Sequence, residues 1–466
     1  MTKDELLSLV RKGARTMTWQ EKLRLTVLLS LPAMVAQISS VAMQIIDAAM
    51  LGHLGTKESA TVGLVSTTIW LFGGLCSAFA AGFSVQVAHH VGANDLPGAR
   101  NVIRQGIISA IIFSTVLMII GLSIAPFLPH WLGADAEICY GATEYFSIVA
   151  IALPILITNT LAAGSLRCSG NVKVPSFLNA SMCMLDVLLN YILIFIFDMG
   201  TKGAALGTLF AYLITMFAML YFLIKRDNQL RFSLDEMATA IHWKPKKDIL
   251  MKALQIGSPI SLERGVMCGA QIAITSIIAP LGPVAIAANT FGINIESLCY
   301  MPGYGISEAA TTLVGQSLGA HRHDLMRSFS WLSMTMGMAI MAIMGIIMGV
   351  FAPEMMNIVT NDPEVISLGT TVLRIEAWAE PMFAASIVAY GAFVGSGKTL
   401  IPSIVNLSSI WIVRLSLAII LAPTLGLVGV WIAMAVELTV RGIAFIIMLR
   451  QRGWTKENTL SPNPLT

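Results

Sequence analysis

Eight carboxylic acids sit inside stretches that are otherwise almost wholly apolar: Asp47, Asp186, Glu263, Glu296, Glu308, Glu376, Glu380 and Glu437. Four arginines share those stretches: Arg264, Arg374, Arg414 and Arg441. A charge held away from water is costly, so an acid kept there is a candidate for taking up and releasing a proton or holding a small cation. Asp47 is the clearest case, with no lysine or arginine within two helical turns of it in sequence. Asp186 and Asn190, in DVLLN, have the spacing that puts two side chains on one helix face. With Asn179 and Tyr191 nearby, these residues form a candidate cation-coupling set, a structural hydrogen-bond network being the alternative. Glu263, Glu296 and the pair Glu376 and Glu380 form a second set, suited to cation or substrate binding. Carboxylate oxygens at Glu263, Glu296 and Glu380 would also suit Na⁺, although internal ion pairs with Arg264 or Arg374 are the plainer reading. Glu437 and Arg441 read as a structural i, i+4 pair, and Glu308 lies near the end of its stretch. Arg414 is placed to be the counter-ion of one acid, with the partner undetermined.

The elements that must position these groups are membrane helices. Hydrophobic residues make up 56% of the 466 and charged residues 12%, about half the charge of a soluble domain; mean hydropathy is +0.77. Apolar blocks such as 107–128 and 334–352 are long enough to cross a bilayer as helices. Twelve spans are predicted, near 27–50, 61–83, 105–130, 143–166, 176–197, 203–224, 254–279, 285–312, 330–352, 367–393, 403–422 and 426–449. Lysine and arginine crowd the N-terminal segment and the 225–252 region, while the opposite loops carry mainly acids. The positive-inside bias therefore places both termini and the central linker in the cytoplasm of a cell whose inner membrane the protein crosses. The expected organisation is an amphipathic segment over 1–25 lying on the membrane surface, a six-helix lobe over 26–226, a linker over 227–250, a second lobe over 251–449 and a tail over 450–466. Basic residues are spread over separate loops without an aromatic reader, so no nucleic-acid partner is expected. The six cysteines lack metal or redox spacing and read as packing residues. No cofactor is implied. Most of the 27 methionines suit packing or lipid contact, and some a polyspecific cleft.

The chain is written twice. At an offset of 227, Pro32 matches Pro259, Gly55 matches Gly282, Arg100 matches Arg327, Asp135 matches Asp362 and Pro154 matches Pro381. Six spans followed by six of the same orientation make two pseudo-symmetric bundles with a site at their interface. The four prolines and the turn glycines Gly170 and Gly397 are symmetric, so they read first as parts of the fold, with helix bending as a further possibility. The acids are not mirrored: Asp47 faces Ile274, Asp186 faces Val413, Glu263 faces Ala36, Glu376 faces Val149 and Glu380 faces Leu153. Function rather than scaffold is the simpler reason for them. The repeat also disposes of AFVGSGKT at 392–399, which fits a relaxed phosphate-loop pattern. Its twin keeps Ser169 and Gly170 but replaces the Lys–Thr pair by Asn171 and Val172. No strand pattern precedes it, so it reads as a turn between spans.

VGANDLPGAR after the second span, VGQSLGAHRHDLMR after the eighth, QIIDAAMLGHLG in the first and SGNVKVPSFLN between the fourth and fifth resemble the multidrug and toxic compound extrusion (MATE) family. The resemblance runs from about residue 25 to 450 and implies a cation-coupled exporter of organic, mostly cationic or amphipathic compounds, working by alternating access. It implies H⁺ or Na⁺ as the coupling ion, a coupling role for Asp47, membrane lipids as surroundings and a monomer. Asp186 and Asn190 invert the order of the DinF-type branch, and the NorM-type branch carries acids on the same spans as the second set. A lipid or lipid-linked oligosaccharide flippase of the same two-bundle design is the alternative. It would call for a more basic cavity than eight acids against four arginines provide. An ATP-driven pump or other membrane enzyme would need a soluble nucleotide domain, for which the longest polar connector is too short.

Overall fold

The computed structural model describes residues 1–13, 15–227, 229–232 and 246–455, and every regular element among them is a helix. The first six spans are Trp19–Leu54, Thr56–Gly92, Leu96–Ile124, Ala136–Cys168, Lys173–Tyr191 and Gly200–Tyr221; wider π turns prolong the last two to Ile196 and Arg226. The seventh to ninth are Lys247–Ile278, Pro283–Gly319 and His323–Val359. The tenth is broken into Pro363–Ala377 and Glu380–Gly395, which meet at 57°. The eleventh and twelfth follow one another directly from Leu400 to Arg450 and are divided at Gly426, where φ is 60° and ψ −141°. The chain turns back there: Ser409 Oγ donates to Glu437 Oε1 at 2.6 Å, although a straight helix would separate residues so far apart in sequence by about 40 Å. Twelve membrane helices in two bundles result. A helix of 36 residues such as Trp19–Leu54 is about 54 Å long, so the longest ones project beyond a bilayer core of about 30 Å.

Local signals start the helices where the sequence turns polar. Thr18 and Glu21 form a reciprocal capping box at the head of the first span, and Asp95 and Asp362 cap the third and tenth. The duplication is visible in the backbone itself. Gly55, Asn94 and Gly170 have positive φ, and so do Gly282, His321 and Gly397, their partners at an offset of 227. Of the four symmetric prolines, Pro32, Pro154 and Pro259 lie inside continuous helices. Pro381 stands just after the break in the tenth span, as the second residue of its helix.

Each lobe has its own core. Phe83, Phe146, Ile157 and Leu161 centre the first; Met348, Val372 and Trp431 centre the second. Large apolar side chains such as Ile112, Ile119, Ile346 and Ile412 stay exposed on the outer faces, where a bilayer would cover them. The lobes meet near the ends that carry both chain termini. A Cβ on Gly92 would collide with the Gln316 backbone, and one on Gly319 with the His89 backbone, so only glycine permits this approach of the second span to the eighth. Glu308 adds a polar tie, accepting from Gln37 Nε2 at 3.2 Å and pairing with Arg167 Nε at 3.5 Å.

A short helix, Lys3–Lys12, lies across that closed face. Its apolar side buries Leu6, Leu7, Leu9 and Val10 against Leu25, Val172, Leu313 and Phe329, drawn from both lobes. Lys3 Nζ donates to Gly170 O at 2.9 Å and Arg11 Nη2 to Ser169 O at 2.8 Å on the first lobe. Toward the second lobe, Arg11 Nε donates to Gln316 Oε1 at 3.2 Å, and Arg322 Nη1 donates to Leu9 O at 3.0 Å. Burial pulls the Arg11 guanidinium down to about 10, partly opposed by Asp4 and Asp227, so it stays charged at neutral pH. The expectation that 1–25 rests on the membrane surface is thereby corrected: the apolar face of its helix has a better partner in protein. Within the linker expected over 227–250, residues 228 and 233–245 lie outside the described residues, as does the tail from 456 onward.

Candidate cation and substrate sites

Four polar clusters interrupt the apolar interior among the described residues. In the first lobe, Asn190 Nδ2 donates to Asp47 Oδ1 at 3.0 Å and to Asp186 Oδ2 at 3.1 Å. An amide nitrogen has two hydrogens, so one side chain clamps two acids from different helices. Asp186 and Asn190 are buried and Asp47 is half-buried. Asp186 Oδ1 and Asn190 Oδ1 have no hydrogen-bond partner among the described residues. Gly207 of the sixth span gives Asn190 its room, since a Cβ there would collide with Asn190 Oδ1.

The structure brings together three of the five residues expected in this set. Tyr191 is 52% exposed and packs on Phe195 with ring centroids 5.5 Å apart; as the neighbour of Asn190 it points to a different side of the helix. Asn179 makes no hydrogen bond to a described residue. Its twin explains why. Asn406 donates through Nδ2 to Glu263 Oε1 at 2.8 Å, whereas the first lobe has Ala36 where the second has Glu263.

Glu263 therefore anchors a second cluster. Tyr390 donates its hydroxyl to Glu263 Oε2 at 2.7 Å and lies 3.3 Å from Ser403 Oγ. Glu263, Tyr390 and Asn406 line a cleft between the lobes with Gln37, Ser77, Arg264, Tyr304, Glu308, Phe383 and Arg441; its volume is about 950 Å³ including the open mouth. Tyr390, Ser403 and Asn406 are not among the candidates drawn from the sequence. The recurrence of Asn179 as Asn406, with an acid newly opposite the second copy, was the available signal.

The third cluster lies deeper in the second lobe. Glu296, Glu376 and Glu380 are buried, and the last two flank the break in the tenth span. None of the four oxygens of Glu376 and Glu380 has a hydrogen-bond partner among the described residues. A Cβ on Gly345 would lie 3.2 Å from the Glu380 Cβ, so the ninth span makes space for that acid. Glu263 stays with its own donors at the cleft. The expected Na⁺ ligand set of Glu263, Glu296 and Glu380 is corrected accordingly: among the described residues no three acids, histidines or cysteines converge as metal ligands.

Arg414 finds its partner in Glu437, donating to Oε2 through Nε at 3.0 Å and Nη2 at 2.6 Å. Arg441 Nε lies 3.1 Å from Glu437 Oε1. One buried acid thus holds two arginines across the eleventh and twelfth spans. Arg374, by contrast, donates to Gly349 O at 3.2 Å near the surface. The Gly-Lys-Thr string behaves as a turn. Gly397 has φ 75°, Lys398 Nζ donates to Trp454 O at 2.8 Å, and Thr399 Oγ1 donates to Ile256 O at 2.9 Å.

The MatE family model matches this chain twice, over residues 32–192 and 259–420, together well over half its length and starting 227 residues apart. The chain is 26% identical over 439 residues to "Probable multidrug resistance protein NorM" of Thermotoga maritima, covering 93% of each chain. It is 28% identical over 457 residues to the protein of the same name from Photorhabdus laumondii, covering 94% of this chain and 98% of that one. Among solved structures it is similar in fold to a MATE protein in complex with MaL6, with a TM-score of 0.88 at 23% identity over 95% of this chain and 97% of the other. A multidrug resistance MATE family transporter described as outward-facing matches with a TM-score of 0.87, 23% identity and the same coverage.

Proposed function

The chain belongs to the MatE family, and from that premise we propose that it is a secondary antiporter exporting organic cations or amphipathic drugs in exchange for H⁺ or Na⁺. It is a membrane transporter and not an enzyme. The observation that carries the antiport reading is the clamp of Asp47 and Asp186 by Asn190, at 3.0 and 3.1 Å. Two acids sharing one neutral donor inside a lobe repel each other when both are charged, and a proton or a small cation relieves that repulsion. Asp47 belongs to the first span, which also contributes Gln37 to the lobe contact and to the cleft wall. A change of charge at Asp47 can thus alter how the first span packs, and through it the balance between cleft states. A ligand shifts such a balance only through differential affinity, so the ion and the exported compound must prefer different states.

In this reading both termini are cytoplasmic and the membrane is the inner membrane, as the distribution of basic residues supports. The glycine-lined closure then lies on the cytoplasmic side, and the cleft faces outward, poised for release. Glu263, held by Tyr390 and Asn406, is the anionic contact for a cationic substrate. Glu296, Glu376 and Glu380 form a second group whose charge a proton or cation from outside would compensate. Asp47→Asn keeps size and hydrogen-bonding capacity while removing the charge. Export of a fluorescent organic cation by cells carrying this variant is expected to fall to background at unchanged protein abundance; undiminished export would remove Asp47 from the coupling mechanism.

A further inference from the structure

Most charged groups on the cleft wall have partners. Glu308 is held by Arg167 and Gln37. Arg441 pairs with Glu437 at 3.1 Å and lies 5.5 Å from the centre of the Phe383 ring. Among the described residues Glu263 accepts only from the neutral donors Tyr390 and Asn406, which orient its charge without cancelling it. Arg264 is different: it lines the same cleft and makes no hydrogen bond or ion pair with any described residue. Its stem is positioned by the opposite lobe. A Cβ on Gly74 of the second span would lie 3.2 Å from both Cβ and Cγ of Arg264, so glycine there leaves a notch that the stem fills. The guanidinium is thereby held at the lobe interface. Consecutive residues on a helix point about 100° apart, so Glu263 and Arg264 present one uncancelled anion and one uncancelled cation to different parts of a single cleft. Tyr304, Phe383 and Tyr390 supply aromatic wall around them.

We propose that Arg264 is a specificity-determining residue that receives the anionic group of an amphoteric aromatic substrate, whose cationic end is taken by Glu263. This rests on reading the cleft as the export site. A guanidinium with no partner repels a simple cation, whereas it meets a carboxylate with two parallel charge-assisted hydrogen bonds. The cleft is therefore tuned to molecules that carry both charges.

Rhodamine B, a zwitterion near neutral pH, and its ethyl ester, a monocation, differ only at the group in question. Binding of each to the purified full-length protein in lipid nanodiscs, followed by fluorescence anisotropy, requires no ion gradient and so stands apart from coupling. Arg264→Gln is expected to weaken rhodamine B roughly tenfold or more while leaving the ester unchanged or tighter, and Arg264→Lys is expected to keep part of the preference. Thermal unfolding of both variants is expected to match the parent, because the Arg264 guanidinium holds no partner among the described residues. Equal weakening of both dyes, or an unchanged ratio between them, overturns the role of Arg264 while leaving the export reading in place. Binding of neither dye by the parent protein overturns both.

Discussion

Asn190 and Glu437 do opposite things with buried charge. Asn190 holds two acids with one neutral donor, at 3.0 and 3.1 Å, which orients them without cancelling their charge and is what the proposed cation coupling draws on. Glu437 is tied to Arg414, Arg441 and Ser409, an arrangement that fixes its charge. Removing one partner of a buried ion pair leaves an uncompensated charge and costs about 3–5 kcal/mol. Glu437→Gln is therefore expected to lower thermal stability markedly in detergent, in contrast to Asp47→Asn; unchanged unfolding would deny Glu437 this structural role. The sequence separated the two cases only partly. That Asp47 and Asp186 lack charged twins was readable from the duplication, and so was the i, i+4 relation of Glu437 to Arg441. The partner of Arg414 was not, because it depends on the chain turning back at Gly426. Nor was the division of the second-lobe acids into two groups. Three helices can aim carboxylates at one point or at two, and spacing within each helix says nothing about the angle between helices.

Among elements, the helix Lys3–Lys12 is the one whose role composition misstated. Its amphipathic pattern was legible, with a capping box at Thr2 and Glu5 and a left-handed Gly13 at its end, but amphipathicity does not say whether lipid or protein covers the apolar face. Bonds to Gly170 and Ser169 on one lobe and to Gln316 and Arg322 on the other make it a clasp. Each such bond is worth about 1 kcal/mol, and its buried leucines add to that. Deleting residues 1–13 is expected to loosen the closed face. Spin labels at Lys173 and Asp324, both exposed on that side, would report longer and broader distances in the deletion than in the full chain. Identical distributions would mean that the helix rides on the closure without supporting it. The tenth span shows a similar limit. Pro154 and Pro381 are twins, yet the chain breaks only beside Pro381, between Ala377 and Glu380. Proline permits a bend, and the packing around it decides whether one forms.

For the molecule as a whole, the two lobes share turns and prolines while differing in where they place charge. Symmetric positive-φ positions at Gly55 and Gly282, Asn94 and His321, and Gly170 and Gly397 show a scaffold written twice, and this was the most legible feature of the chain. The glycine contacts at Gly92 and Gly319 let the lobes close tightly at one end, leaving the cleft beside Glu263 and Arg264 beyond the seal. In the proposed antiport, alternating access requires that seal to open and the far side to close, with cation exchange at the acids that the duplication did not copy as the proposed driver. The most direct test is transport of a fluorescent organic cation in proteoliposomes holding the full-length protein, with pH and Na⁺ gradients imposed one at a time and no nucleotide present. Transport against the dye gradient is expected when at least one of the two ion gradients is applied, and its loss when both are collapsed. Concentrative transport that persists with both collapsed, or that appears only with ATP, would contradict the account.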